Sequence, residues 1–290
     1  MANPRADYSP IFHRKPLKLP GNARVAVWPC INVEEWDINA TMARAVLPSP
    51  QGAAVTPDIA NFAWFDYGLR VGFWRLKQVL DRHGIRATVS LNASVCDTYP
   101  QLVRESLEAG WEMLGHGVTQ RVIHSEPDER KVIQQTIRMI SDFTGVPLRG
   151  WMGPGLAETF DTPDILAEEG IEYVADWCND DQPYEMKVKS GRLVSIPYTV
   201  EINDIPIYIV QHHRSPEIFE RARDQFDTLY REGAESARIM CISTHPYITG
   251  VPHRIKYYDM IFDYVRQFEG VVFMTGSEIL DWYNESTADR

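Results

Sequence analysis

The chain alternates between short apolar runs and longer stretches in which apolar residues recur at helical spacing. Residues 24–33 (RVAVWPCINV) are rich in β-branched residues and predict a first strand. Similar runs predict strands at Arg86–Leu91, Trp111–Leu114, Leu148–Trp151, Tyr173–Asp176, Leu193–Ile196, Arg238–Ser243 and Val271–Met274, with Ile207–Val210 as a further candidate. Helical spacing predicts helices at Phe73–His83, Tyr99–Ala109, Asp128–Thr144, Pro163–Glu169, Glu217–Gly233, Tyr257–Phe268 and Ser277–Tyr283, with Ser277 as an N-cap. Strand and helix alternate about seven times in βα order, which predicts one parallel α/β barrel with seven strands or incomplete closure.

Three stretches lie outside this alternation. Residues 1–22 contain four prolines and predict an extended arm that lies on the body or on a neighbouring subunit, which leaves residues 23–290 as a single barrel domain. Residues 37–62 show no period and predict a long loop of the kind that forms lids or binding loops. Residues 178–205 are rich in turn formers and are expected to shape a pocket.

The composition limits the possible binding partners and the expected cellular compartment. The formal net charge of −11 argues against nucleic acid or an anionic membrane as a partner. No apolar run is long enough to span a bilayer, and the N-terminus has no apolar core of a signal peptide, so we expect a cytoplasmic protein. The four cysteines are scattered and predict free thiols, mostly small core residues.

Ionisable side chains follow several predicted strands directly, and this is where barrels keep their chemistry. Glu34 and Glu35 follow the first strand and should point to opposite sides, so that one could accept a proton while the other binds a metal. His116 lies between two glycines that allow a ligand close approach, and His245 could act as a general acid. The plainer alternatives are a charged turn for the two glutamates and structural roles for the histidines.

Further polar and aromatic residues are candidates for substrate binding. Tyr67 and Arg70 lie in a segment whose arginine could bind a carboxylate or a planar ureide or imide. Arg149 could hold a catalytic carboxylate, although it could equally serve packing. The remaining candidates are Trp151, Asp176 and Trp177.

These residues carry a resemblance to the polysaccharide deacetylase superfamily, whose fold is an irregular (β/α)7-type barrel. The motifs INVEEWD (31–37), GHGVTQ (115–120), RGWMGP (149–154), DW (176–177) and STHP (243–246) occur in the family's order, from about residue 24 to residue 283. The chain is more similar to the bacterial allantoinase-like branch, because of its glutamate pair, its YGLRVGFWR segment (67–75) and its single histidine in the second motif.

The resemblance implies hydrolysis of a carbon–nitrogen bond in a small cyclic amide such as a ureide or imide, by a cytoplasmic homo-oligomer, a dimer or tetramer. It implies that Glu34 is the catalytic base, that Arg149 orients it, and that His245 is the general acid. It also implies that Glu35 and His116 are metal ligands, with Gln120 near the position of the family's second metal histidine. A divalent metal such as zinc is therefore the one cofactor that the sequence leaves open, with two protein ligands where a catalytic zinc usually has three.

Two other functions remain open from the sequence. One is metal-dependent deacetylation of N-acetylated sugars, which the missing second histidine and missing signal peptide disfavour. The other is a non-catalytic binding protein on the same barrel, which the joint presence of Glu34, Arg149 and His245 disfavours.

Overall fold

The computed structural model describes residues 3–50 and 52–288. Its strands are β1 Val25–Val33, β2 Thr88–Leu91, β3 Glu112–Gly115, β4 Gly150–Trp151, β5 Tyr173–Val174, β6 Tyr184–Met186, β7 Leu193–Ser195, β8 Arg238–Thr244 and β9 Val271–Phe273. Its α-helices are α1 Ile59–Tyr67, α2 Phe73–His83, α3 Val95–Thr98, α4 Pro100–Glu108, α5 Glu129–Thr144, α6 Thr162–Glu168, α7 Glu217–Glu232, α8 Ile255–Val265 and α9 Gly276–Thr287. Within these residues no helix combines the length and the apolar character needed to cross a bilayer.

The strands form one strongly curled sheet with the order β6-β7-β5-β4-β3-β2-β1-β8. All neighbouring pairs are parallel except β6 with β7. The amino half of β1 pairs with β9, whereas its carboxyl half, Cys30–Val33, pairs with β2. The fold is therefore the irregular α/β barrel that the sequence predicted.

No strand pair among the described residues closes the barrel between β8 and β6. Two short contacts bridge this gap. Ile239 N–H donates to the Asp181 carbonyl at 2.9 Å, and Ser243 N–H donates to the Ile202 carbonyl at 3.0 Å. Asn203 also forms an isolated parallel bridge with Ser243, so a loop lies where a further strand would complete the barrel.

Alternate residues of β1 pack into different apolar clusters because a strand presents its side chains to two faces in turn. Val25, Val27, Ile31 and Val33 join the larger cluster, which also contains the apolar faces of α2 and α8. Ala26, Trp28 and Cys30 join the second cluster, with Tyr173 of β5 and Val194 of β7. The first strand is buried throughout, so both faces contribute to the core.

The N-terminal arm lies on the barrel of its own chain. Arg5 forms an ion pair with Asp164 at 2.9 Å, and Arg14 forms one with Asp180 at 2.6 Å. The Leu17 carbonyl accepts a hydrogen bond from Ala237 N–H at 3.0 Å, and the Leu17 side chain is buried. The division at residue 22 remains a prediction, since these contacts do not test it.

Three local predictions were wrong. Ile207–Val210 is not a strand, because a wide helical turn covers Ile205–Val210 and Asn203 Oδ1 accepts from Ile205 N–H at its start. The loop predicted at residues 37–62 ends earlier, since Asp58 caps α1 by accepting from Asn61 N–H. Thr275, not Ser277, is the N-cap of α9, and it forms a reciprocal capping box with Glu278. Short strand β6 had no distinct sequence pattern and was not predicted.

Candidate active site

The candidate site lies at the carboxyl ends of the central parallel strands. Val33 is in register with Leu91, and Leu91 with Gly115, so the residues that follow them meet at one edge of the sheet. Those following residues are Glu34, Asn92 and His116. On the other side of β1, Ile31 is in register with Thr244, which brings His245 to the same edge.

The alternation of side chains along β1 determines which of the two glutamates points into the barrel. Glu34 continues the face of Trp28 and Cys30, since it lies an even number of positions further along the strand. Glu34 is 3% exposed and lines a cavity of about 140 Å³ together with both histidines. Glu35 takes the opposite side and lines a separate, wider pocket with Trp36 and Tyr99.

Four side chains surround the Glu34 carboxylate. Gln120 Nε2 donates to Glu34 Oε1 at 2.9 Å, and His245 Nε2 lies 3.3 Å from the same oxygen. His116 Nε2 is 3.9 Å from it, and the Tyr247 hydroxyl donates to Glu34 Oε2 at 3.4 Å. A buried carboxylate needs such partners to stay ionised.

His245 is held between two carboxylates. Asp204, which is fully buried, lies with Oδ1 2.6 Å from His245 Nδ1 and with Oδ2 accepting from His245 N–H at 2.7 Å. Thr249 Oγ1 donates to Asp204 Oδ2 at 2.6 Å. Because Asp204 fixes Nδ1, the imidazole presents Nε2 to Glu34 and to the cavity.

This arrangement sets the charges of the site. Burial lowers the pKa of His245, but the charges of Asp204 and Glu34 and their hydrogen bonds outweigh it and raise the pKa to about 9. Burial raises the pKa of Glu34, but the positive charge of His245, its hydrogen bond and the nearby His116 outweigh burial and hold this pKa well below the ordinary carboxyl range. At neutral pH the site therefore contains an imidazolium beside an ionised carboxylate.

His116 is oriented by the strand on its other side. Its Nδ1 lies 2.6 Å from the Met152 carbonyl oxygen, which can only accept, so Nδ1 carries a proton and Nε2 faces Glu34. Asn92 Nδ2 donates to the His116 carbonyl, and Asn92 Oδ1 accepts from Glu35 N–H at 2.8 Å. Asn92 thus links the two strand ends that supply Glu34 and His116.

The predicted metal pair of Glu35 and His116 is not formed. The two side chains line different pockets, and His116 faces Glu34 instead. In the described part of the chain, no three His, Cys, Asp or Glu side chains are grouped so that they could hold a metal ion. Gln120, near the family position of a second metal histidine, presents an N–H donor to Glu34. The side chains present do not fit a resident metal.

Arg149 does not belong to this site, and the prediction that it orients Glu34 was wrong. It precedes β4 and therefore lies at the amino end of the strand, whereas the site lies at the carboxyl ends. Its guanidinium binds Glu172 at 2.6 Å and Asp281 at 2.7 Å, and these partners raise its pKa further above the ordinary value. Arg149 ties the β4–β5 region to α9.

Tyr67 and Arg70 also lie elsewhere than predicted. The Tyr67 hydroxyl accepts a hydrogen bond from Arg75, which also donates to the Gly250 carbonyl at 3.0 Å. The Arg70 side chain is 72% exposed and faces Asp66 at 3.7 Å. Neither residue lines the cavity around Glu34.

The other three predicted binding residues do not line the cavity either. Trp151 is buried in the core. Asp176 Oδ1 accepts from Gly153 N–H at 2.8 Å, and Trp177 Nε1 donates to Glu158 at 2.9 Å. Burial and the neighbouring Glu158 raise the pKa of Asp176 well above its ordinary value. These contacts shape the backbone after β4, which carries Met152 and Leu156 into the cavity wall.

The sequence did not point to Asp204 or Arg44, which the structure brings to the site. Arg44 lines the cavity from the loop before α1. Asp204 is the last polar residue before the apolar run 205–210, and a lone acid at such a boundary was the available signal. Nothing in the sequence distinguishes Arg44 from other loop arginines.

The polysaccharide deacetylase family model matches residues 56–174. A curated relative, described as a putative polysaccharide deacetylase of Schizosaccharomyces pombe, is 27% identical over 90% of each chain. The crystal structure of PuuE allantoinase has a TM-score of 0.84 and 25% identity, covering 98% of this chain and 100% of its own. That of a probable polysaccharide deacetylase from Pseudomonas aeruginosa PAO1 has the same TM-score and identity, covering 97% and 98%.

The fold and these similarities define a hydrolase class that acts on carbon–nitrogen bonds. The chain is similar to the polysaccharide deacetylase superfamily in sequence over residues 56–174, and its fold is similar to that of both an allantoinase and deacetylases. This confirms the family that the five sequence motifs indicated.

Proposed function

We propose that this protein hydrolyses a carbon–nitrogen bond in a small cyclic amide, such as a ureide or imide, without a resident metal. The observation that carries the proposal is the row of Asp204, His245 and Glu34, in which a buried imidazolium lies between two buried carboxylates. An ionised carboxylate beside a protonated imidazole can serve as the base and the acid of amide hydrolysis.

Glu34 is the proposed base. Its carboxylate accepts a proton from a water molecule as the water oxygen attacks the amide carbonyl carbon. The pKa of Glu34 lies below the ordinary range in the free protein, which keeps the base ionised at neutral pH. Substrate bound between Glu34 and His245 would separate the two charges and make the carboxylate more basic.

His245 is the proposed acid. Its Nε2 proton first stabilises the developing negative charge on the carbonyl oxygen and is then transferred to the leaving nitrogen, which lets the carbon–nitrogen bond break. Asp204 stabilises the imidazolium and fixes its ring, and thus acts as a positioning residue. The products are a carboxylate and a released nitrogen in one ring-opened molecule.

The cavity next to Glu34 can hold a small ring. A volume of about 140 Å³ next to Glu34 is enough for a single five- or six-membered ring. The panel for a first assay is allantoin, hydantoin, succinimide, linear formyl and acetyl amides, and N-acetylglucosamine oligomers. Each is followed by proton release and by mass analysis of the product.

The decisive variant is Glu34→Gln, which keeps the shape of the side chain and removes the base. We expect kcat to fall by about 10²–10⁴-fold, with the melting temperature retained. Glu35→Gln is the matched control, because Glu35 follows directly in the chain but lines another pocket. A Glu34→Gln protein that keeps more than a tenth of wild-type kcat would contradict the assignment. Turnover of acetylated sugars alone would replace the cyclic amide with a deacetylase substrate.

A further inference from the structure

The cavity contains one cation that the proposed chemistry does not use. Arg44 lies in the loop before α1 and is half-buried, and its side chain lines the cavity next to Glu34 and His245. Among residues 3–50 and 52–288, no carboxylate, carbonyl or hydroxyl oxygen forms a hydrogen bond or ion pair with it. A half-buried guanidinium at a cavity wall has donors available for a ligand.

The loop holds Arg44 in this place by specific contacts. Asn61 of α1 is 2% exposed, and its Oδ1 accepts from Val46 N–H at 2.8 Å and from Leu47 N–H at 3.0 Å. Its Nδ2 donates to the Leu47 carbonyl at 2.9 Å. These three bonds fasten the loop two to three residues after Arg44.

Aromatic side chains lie beside Arg44. Arg44 lines a narrow crevice that is also lined by Trp36, Trp64, Phe65 and Tyr247. Trp64 and Phe65 both contact Tyr247, whose hydroxyl donates to Glu34. The side chain of Arg44 therefore runs from an aromatic crevice to the cavity that contains the proposed base.

The charges of the cavity define what Arg44 can bind. The imidazolium of His245 is already matched by Glu34 and Asp204, whereas no carboxylate of the described residues pairs with Arg44. A guanidinium presents a planar set of donors that suits two oxygen atoms in one plane, as in a carboxylate. Ring opening of a cyclic amide forms such a group on the carbonyl carbon.

We propose that Arg44 is a specificity residue that binds the carboxylate produced by ring opening. In the ring-closed substrate it binds the carbonyl oxygen, in the plane of the amide group. The protein should therefore bind small ring-opened acids, and the carboxylate should contribute more to their affinity than the rest of the molecule does. This inference rests on the proposed function for its ligand class, but a binding experiment can test it without turnover.

The test measures binding of N-carbamoylglycine and succinamate, with their uncharged amides as matched ligands, by titration calorimetry on Glu34→Gln protein. Arg44→Met is introduced into this background. We expect it to weaken binding of both carboxylates at least tenfold and to change binding of the uncharged amides less than threefold. Arg44→Lys should restore part of the affinity, because it keeps the charge but not the planar donors.

Arg70→Met is the matched control. This arginine is exposed outside the cavity, and we expect binding as in the background protein. Equal affinity of the Arg44→Met and background proteins for the carboxylates would overturn the proposal, as would failure of the background protein to bind either acid. Carboxylate binding that depends on Arg44 in a wild-type protein without amidase activity would support Arg44 and reject the proposed hydrolysis.

Discussion

Asp204→Asn tests the central electrostatic relation of the site, because it removes one of the two charges that hold the proton on His245. The pKa of His245 rises from an ordinary 6.5 to about 9 despite full burial. At about 1.4 kcal/mol per pH unit, the surrounding charges favour the imidazolium by about 3 kcal/mol beyond what burial costs. Asp204 is the largest of the causes that raise this pKa, so its loss should remove more than half of the effect.

The expected result is a shift in the pH profile. Wild-type kcat/KM should be constant through neutral pH and should fall above about pH 9, where His245 loses its acidic proton. In Asp204→Asn the same fall should move to lower pH by about one to two units, and kcat at pH 7 should drop, since the amide also places an N–H donor near Nδ1. The assay is initial-rate proton release or product formation across pH 5–10.

Stability gives a second readout with a defined sign. The folded-state pKa of His245 is raised, so its contribution to the free energy of unfolding is complete below about pH 6.5 and is lost as the pH rises through about 9. The destabilisation caused by Asp204→Asn should therefore be larger at pH 6 than at pH 10. Asp164→Asn is the control, because this buried acid pairs with Arg5 on the arm and should leave the pH profile unchanged.

A folded Asp204→Asn protein whose alkaline fall stays at the wild-type pH would refute this reasoning. It would show that Glu34 alone holds the proton on His245, or that His245 does not act as the acid.

Two further substitutions test residues whose positions the sequence predicted wrongly or did not predict. Arg149→Met should leave kcat/KM within twofold of wild type and lower the free energy of unfolding in urea by about 1 kcal/mol, because its ion pairs are partly exposed. A tenfold loss of kcat at unchanged stability would show that Arg149 does act in the site. Asn61→Ala should release the loop that carries Arg44 and therefore raise KM more than it lowers kcat. It should also lower the free energy of unfolding by about 1–3 kcal/mol, because the groups that Asn61 pairs lose their partner. Asn39→Ala, in the same loop but exposed, is its control, and equal KM values for the two variants would show that the anchor does not act through the cavity.

The sequence predicted the strand ends well, and with them Glu34, His116 and His245, because apolar runs in a parallel sheet mark where each strand stops. The position of Arg149 was predicted wrongly because β4 has only two residues. An error of one or two residues in the predicted strand is then enough to move a side chain from one end of the strand to the other. The sequence missed Asp204 and Arg44 because both reach the cavity through loops whose paths depend on tertiary contacts. Asp204 depends on the bridge between Asn203 and Ser243, and Arg44 depends on the bonds made by Asn61. Such contacts leave no periodic pattern in the chain.

The gap between β8 and β6 has a consequence for how this site can change during evolution. In a barrel closed by strands, every neighbour of the last strand would be a sheet residue, and altering it would alter the sheet. Here the partner of His245 comes from the loop that fills the gap, through the bridge at Asn203. Insertions or substitutions in residues 197–204 can therefore retune the acid, or replace it, while the strands that supply Glu34 and His116 remain as they are.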